Sequence, residues 1–259
     1  MSRIPTLFAE HQGLVIPFLT AGYPNLDNTI ELVLEAENCG IKMIELGMPF
    51  SDPLADGPVI QAASTKAIAN GVTLDWILDT ITKIRKHSDI AIVLMGYINP
   101  IQCYGFERFM KACRDAGVDG MILPDLPPEE ACEYLGLCRE YGISPILIVA
   151  PNSSDSRIRD LGNWSKDLLY VTSILGVTGS KNISDNKDLQ NYLTRVKRLA
   201  GVPFVVGFGI RSRHDVQEIL EYADGAVVGS YLLDLLSNTE EPLEVWRTAL
   251  KELTGKDNE

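Results

Sequence analysis

Positive charge is scarce in this chain. Lysine and arginine total 23 against 35 aspartates and glutamates, a net charge of −12 at pH 7, with a pI near 4.7. Non-specific binding to nucleic acid or to an anionic membrane needs a basic surface, so neither partner is expected. A local phosphate site stays open. The five cysteines, Cys39, Cys103, Cys113, Cys132 and Cys138, are odd in number and never in C-x-x-C spacing. Reduced, structural thiols are expected, as in a cytoplasmic protein. The three histidines, His11, His87 and His214, lie far apart and outside any H-E-x-x-H motif, so no metal site is expected. No uncharged apolar run reaches the ~18 residues of a membrane span. The first residues, Met1 to Thr6, lack the apolar stretch of a signal peptide. A cytoplasmic location is expected.

What the 259 residues do contain is alternation. Apolar runs occur at Leu14–Leu19, Met43–Leu46, Ile90–Leu94, Gly120–Leu123, Pro145–Val149, Leu168–Thr172, Pro203–Val206 and Gly225–Val228. Hydrophobicity on both faces suits parallel strands buried on both sides. Helical patterns separate them: Leu26–Asn38, Leu74–His87, Phe106–Ala116, Pro128–Tyr141, Ser154–Leu161, Leu189–Leu199, Arg211–Tyr222 and Leu243–Leu253. A short extra helix around Thr6–Glu10 precedes the first strand. Eight alternations predict a (β/α)₈ TIM barrel, and no linker divides residues 1–259, so one domain is expected. A doubly wound sheet is the alternative. The strand count and the lack of an early G-x-G-x-x-G argue against it.

A barrel of this kind places its chemistry where strands end. Glu45 lies within the second apolar run, where a charge is costly, so it is a candidate acid or base with a raised pKa. A salt-bridged structural glutamate is the bland alternative. The segment from Pro49 to Pro58 is stiff with proline and carries Asp52 and Asp56, either of which could be a mere turn aspartate. Asp56 beside Glu45 would form a carboxylate pair able to divide acid and base roles. Glycine-bearing segments at Gly176-Val-Thr178-Gly179-Ser180, Gly207-Phe208-Gly209 and Gly229-Ser230 follow the last three strands. They suit phosphate, because glycine lets backbone N–H groups approach its oxygens. Phe18, Met95, Tyr97, Tyr170 and Phe208 lie near strand ends and would line a pocket if they are not core.

The run Ile44-Glu-Leu-Gly-Met-Pro-Phe-Ser-Asp-Pro-Leu-Ala-Asp-Gly-Pro58 resembles the signature of the tryptophan synthase α subunit. Pro17-Phe-Leu-Thr-Ala-Gly-Tyr-Pro24, Tyr97-Ile-Asn-Pro100, Leu123-Pro-Asp-Leu-Pro127, Gly176-Val-Thr-Gly179 and Gly207-Phe-Gly-Ile210 match in the family's order. The resemblance implies retro-aldol cleavage of indole-3-glycerol phosphate to indole and glyceraldehyde 3-phosphate, within tryptophan biosynthesis. It places the catalytic residues at Glu45, Asp56 and Tyr170, and the substrate contacts at Phe18, Ile60, Met95, Tyr97, Thr178 and Phe208. The phosphate ligands fall on Gly179, Gly209, Gly229 and Ser230. It implies no cofactor in this subunit and a pyridoxal-phosphate (PLP) β subunit as partner in an αββα heterotetramer, with Pro49, Asp52 and Pro53 on the shared face. The alternatives are a stand-alone lyase that releases free indole, and a weakly catalytic barrel that chiefly activates a β partner. The segment Ser173-Ile174-Leu175 departs from family members that carry a basic residue there.

Overall fold

The computed structural model describes residues 1–172, 186–207 and 209–256. Its strands are β1 (Leu14–Thr20), β2 (Met43–Gly47), β3 (Ala91–Met95), β4 (Gly120–Ile122), β5 (Ser144–Pro145), β6 (Leu147–Val149), β7 (Leu169–Thr172), β8 (Phe204–Gly207) and β9 (Gly225–Val228). All pair in parallel, in the order β5-β4-β3-β2-β1-β9-β8-β7-β6. The two ends of that order, β5 and β6, are one stretch of chain interrupted at Ile146, so the sheet curls into a nearly closed (β/α)₈ barrel. The sequence reading has one fifth strand, Pro145–Val149; here it is split. Ser144 and Ile146 donate to Asp119 and Met121 beside β4, while Leu147–Val149 pairs with β7. Pro145 has no N–H to give and sits where pairing passes from one neighbour to the other.

Helices α1 (Ile4–Glu10), α2 (Asn28–Asn38), α4 (Leu74–Ile84), α6 (Phe106–Ala116), α8 (Asp155–Ser165), α9 (Lys187–Leu199), α10 (Arg213–Leu220) and α12 (Pro242–Thr254) follow the apolar periodicity. The expected helix Pro128–Tyr141 is a 3₁₀ turn, Pro128–Glu130, followed by α7 (Cys132–Tyr141). Three helices were not expected from the pattern: α3 (Pro58–Ala69), α5 (Ile98–Tyr104) and α11 (Ser230–Ser237). The start of α5 explains one omission. Its capping carboxylate is Asp125, from the loop after β4, which accepts the Ile98 N–H at 3.0 Å. Local sequence shows no such cap.

The lower end of the barrel is plugged by α1. A Cβ on Gly120 would lie 2.7 Å from Ile4 Cδ1 and 3.0 Å from Ile146 Cδ1, so only glycine leaves room for the plug. Buried Asp119 fixes the entry to α1, accepting from the Arg3 N–H at 2.9 Å and from the guanidiniums of Arg3 (3.0 Å) and Arg85 (2.8 Å). With the bottom sealed by side chains, the upper rim is where a ligand enters. All five cysteines are unpaired. Among the described residues no helix is long and apolar enough to cross a membrane.

Candidate active site

Parallel register sets the floor of the site. Phe18 on β1 pairs with Glu45 on β2, and Glu45 pairs with Val93 on β3. Gly47 shares Glu45's face of β2, because strand side chains alternate. A Cβ on Gly47 would meet the Phe18 ring at 2.5 Å, so that face looks into the barrel. Glu45 is fully buried there, and neither carboxyl oxygen has a hydrogen-bond partner. Burial with nothing to stabilise the charge pushes its pKa up to about 8. At neutral pH Glu45 is a neutral acid. The bland alternative, a glutamate held in a salt bridge, does not hold.

Asp56 comes from the loop between β2 and α3. Burial raises its pKa, and the Tyr97 hydroxyl in the same recess partly offsets this. Tyr170 on β7 is buried, and its ionisation is opposed first by burial and then by the charges of Glu45 and Asp56. The three groups therefore share one electrostatic neighbourhood, although they come from β2, β7 and a loop. A Cβ on Gly207 would fall 1.7 Å from the Tyr170 hydroxyl, so the phenol lies flush against the β8 backbone.

Above this floor a cavity of about 150 Å³ is lined by Phe18, Ile60, Met95, Tyr170, Gly209, Gly229 and Ser230, with Gly207, Ile210 and Val227. A smaller recess joins it through Phe18, Ile60 and Met95 and adds Asp56 and Tyr97. The first cavity ends at α11. That helix begins at Gly229, and no side chain caps its first N–H groups. The neighbouring α10 is closed by a capping box in which Ser212 and Asp215 satisfy the first turn. The contrast is chemical: α11 offers free donors and a positive dipole end to an anion, and α10 does not.

Most site residues expected from sequence thus line one or other of two cavities that share Phe18, Ile60 and Met95; Glu45 lines neither and lies fully buried on the strand face below them. Thr178, Gly179 and Phe208 lie outside the described residues. Pro49, Asp52 and Pro53 do not line either cavity. They lie on the rim loop, with Asp52 exposed beside Leu54, whose 93% exposure is unusual for so large an apolar side chain. The sequence reading missed Thr20, Ser64 and Gly96, which line the recess. Thr20 is the clearest omission, since its buried hydroxyl has no partner. Its place at the end of β1 was the available signal; the other two need the fold.

The family model for the tryptophan synthase alpha chain matches residues 5–258. A tryptophan synthase alpha chain from Petrotoga mobilis is 42% identical over 241 residues, covering 93% of each chain. One from Dehalococcoides mccartyi is 42% identical over 253 residues, covering 98% of each. Among solved structures, one from Pyrococcus furiosus, described as the basis of mutual activation of the tryptophan synthase α₂β₂ complex, superposes with a TM-score of 0.87 at 34% identity. It covers 95% of this chain and 99% of that one. An Aquifex aeolicus structure reaches 0.89 at 34% identity with full coverage of both chains.

Proposed function

The chain belongs to the tryptophan synthase alpha chain family and is a lyase of tryptophan biosynthesis; from that premise we propose how its own residues cleave indole-3-glycerol phosphate to indole and glyceraldehyde 3-phosphate. The observation that carries the reading is the buried, unpartnered, neutral Glu45 beneath a cavity whose far end is an uncapped helix start. The substrate's phosphate rests on Gly209, Gly229, Ser230 and the α11 N-terminus. Its ring lies among Phe18, Ile60 and Met95. Neutral Glu45 gives its proton to indole C3, and the ring becomes an indolenine with positive character at nitrogen. Asp56 stabilises that charge as it develops. The Glu45 carboxylate then takes the proton of the glycerol hydroxyl as the C3–carbon bond breaks, the bond electrons returning to the ring. Indole and the aldehyde leave, and Glu45 is neutral again. Tyr170, at the same electrostatic centre, packs the floor that keeps Glu45 dry. No cofactor is assigned to this subunit. Release of indole by the purified chain from indole-3-glycerol phosphate tests the reading, and absence of cleavage with and without a β subunit overturns it.

The partner proposed for the rim loop is a PLP-dependent β subunit in an αββα assembly, as the α₂β₂ complex of a structural neighbour suggests. Pro49, Asp52 and Pro53 surround exposed Leu54, an apolar side chain that gains by being covered. The loop's other end is Asp56, so docking at its tip bears directly on the ring subsite. Among the described residues the Asp52 carboxylate accepts a single hydrogen bond, at 2.5 Å from its neighbour Ser51. Asp52→Ala should leave the isolated subunit's activity nearly unchanged. It should weaken stimulation by saturating β subunit about fivefold, the lower end of ordinary coupling energies. Cleavage rates measured with and without β subunit decide it. Full stimulation of the variant would remove Asp52 from the coupling, and an equal loss in the isolated subunit would make it structural.

A further inference from the structure

We propose that Tyr97 is a positioning residue that holds the loop between β2 and α3 so that Asp56 points into the ring recess. The inference rests on the reading of Asp56 above and gives Tyr97 a task other than binding substrate. Tyr97 lies two residues past the end of β3 at Met95 and is only 6% exposed. Its backbone is held from the far side, where Asp125 receives the N–H of Ile98 with both oxygens, at 3.0 and 3.1 Å. A rigid strand end thus carries the phenol.

From that support Tyr97 reaches two places on one loop. Its ring packs against Phe50 with centroids 5.3 Å apart and planes tilted by 32°. Its hydroxyl oxygen accepts the Ala55 N–H at 3.0 Å. A phenol has one proton of its own to donate, and Asp56, the residue after Ala55, lines the same recess as Tyr97. One side chain therefore holds both the start of the loop and the backbone just before the acid. Among the described residues the loop has little else to hold it. Its other hydrogen bonds near the tip are internal: the Leu54 N–H to the Asp52 carbonyl at 2.9 Å and the Asp56 N–H to the Pro53 carbonyl at 3.0 Å. Gln61 of α3 adds a 2.9 Å bond to the Asp56 carbonyl, which leaves the carboxylate free to swing.

The electrostatics agree with this geometry. Burial raises both groups, the Asp56 charge raises Tyr97 further, and the Tyr97 hydroxyl draws Asp56 back down. The other ionisable groups that reach this corner are Tyr170, which feels Glu45 and Asp56, and Asp125, which acts on Tyr97. None of them supplies a proton donor to the Asp56 carboxylate.

Tyr97→Phe removes the hydroxyl and keeps the ring. The Asp56 carboxyl is followed by ¹³C NMR in the full chain and assigned by its loss in Asp56→Asn. In Tyr97→Phe its titration midpoint should rise by about half a unit or more, since the hydroxyl that favours the charged form is gone. The Ala55 amide should lose hydrogen-exchange protection while the amides of β3 keep theirs. Turnover of indole-3-glycerol phosphate should fall about tenfold, with KM changing less than about threefold. An unmoved Asp56 midpoint overturns the proposal, and so does a raised midpoint with turnover intact. The titration is read without substrate, so a chain that fails to cleave indole-3-glycerol phosphate refutes the reaction while leaving the placement of Asp56 separately decided.

Discussion

Glu45→Gln lowers turnover of indole-3-glycerol phosphate by 10²-fold or more, the scale on which a positioned acid or base acts, and at the same time makes the protein more stable in alkali. The two effects have one origin. Glu45 sits in the barrel interior with no partner for either oxygen, so the fold tolerates its neutral form and resists its charged one. That is why its pKa is pushed up to about 8. In the unfolded chain the same carboxyl ionises near 4.5, the ordinary value. Between these two values the folded state binds more protons than the unfolded state, so stability falls as pH rises through that window and levels off above about 8. Glutamine has the same shape and no charge to desolvate. The urea midpoints of parent and variant should nearly coincide at pH 4.5 and separate in the variant's favour by pH 9, by at least about 1 kcal/mol. A structural glutamate would show the reverse, a less stable variant with activity to match. Near-normal turnover in Glu45→Gln removes it from the chemistry. A stability difference that does not change with pH removes the account of its protonation.

How much of this was visible beforehand depended on the range of the interaction concerned. The alternation of apolar runs with amphipathic stretches is local, and it yields the barrel, its parallel strands and the extra first helix. Glu45 was legible for the same reason: an acid inside an apolar run is a conflict that burial must resolve, and the strand period decides its face. The loop of Asp56 was conspicuous from its prolines, and the phosphate end from glycines placed after the last strands. Three features failed to show because their causes are distant in sequence. The cap of α5 comes from Asp125, some 27 residues downstream. The split fifth strand follows from two different neighbours competing for one stretch of backbone. The role of Tyr97 depends on Ala55, which is 42 residues away. Gly229-Ser230 was read as a loop for phosphate and is the start of a helix, whose uncapped first turn offers backbone donors of the same kind.

That end of the cavity carries the second large effect. Among the described residues lining it there is no lysine or arginine, so an anion bound there would be held by backbone N–H groups, the Ser230 hydroxyl and the dipole of α11. Binding by partial charges is easily outweighed by a full one. Gly209 has φ of +51°, a left-handed conformation, and a Cβ there would meet nothing within 4 Å. Asparagine and aspartate are the side chains that best tolerate such backbone, and they differ here in one respect only, the charge. Gly209→Asp sets a carboxylate against a phosphate at a few ångströms. At an effective dielectric near 20 each such unit pair costs about 3–4 kcal/mol. Solvent at the open mouth reduces this, leaving a rise in KM on the order of 10²-fold. Gly209→Asn should raise KM several-fold at most, and kcat should change little in either variant, because the contact is the same in the ground and transition states. The decisive comparison is between the two variants, using indole-3-glycerol phosphate as substrate and glyceraldehyde 3-phosphate as competitor. If aspartate and asparagine raise KM equally, the effect is steric and the phosphate lies elsewhere. If kcat falls with KM unchanged, Gly209 belongs to the reacting end of the cavity and the substrate binds in the opposite sense, with its ring toward α11 and its phosphate toward Asp56.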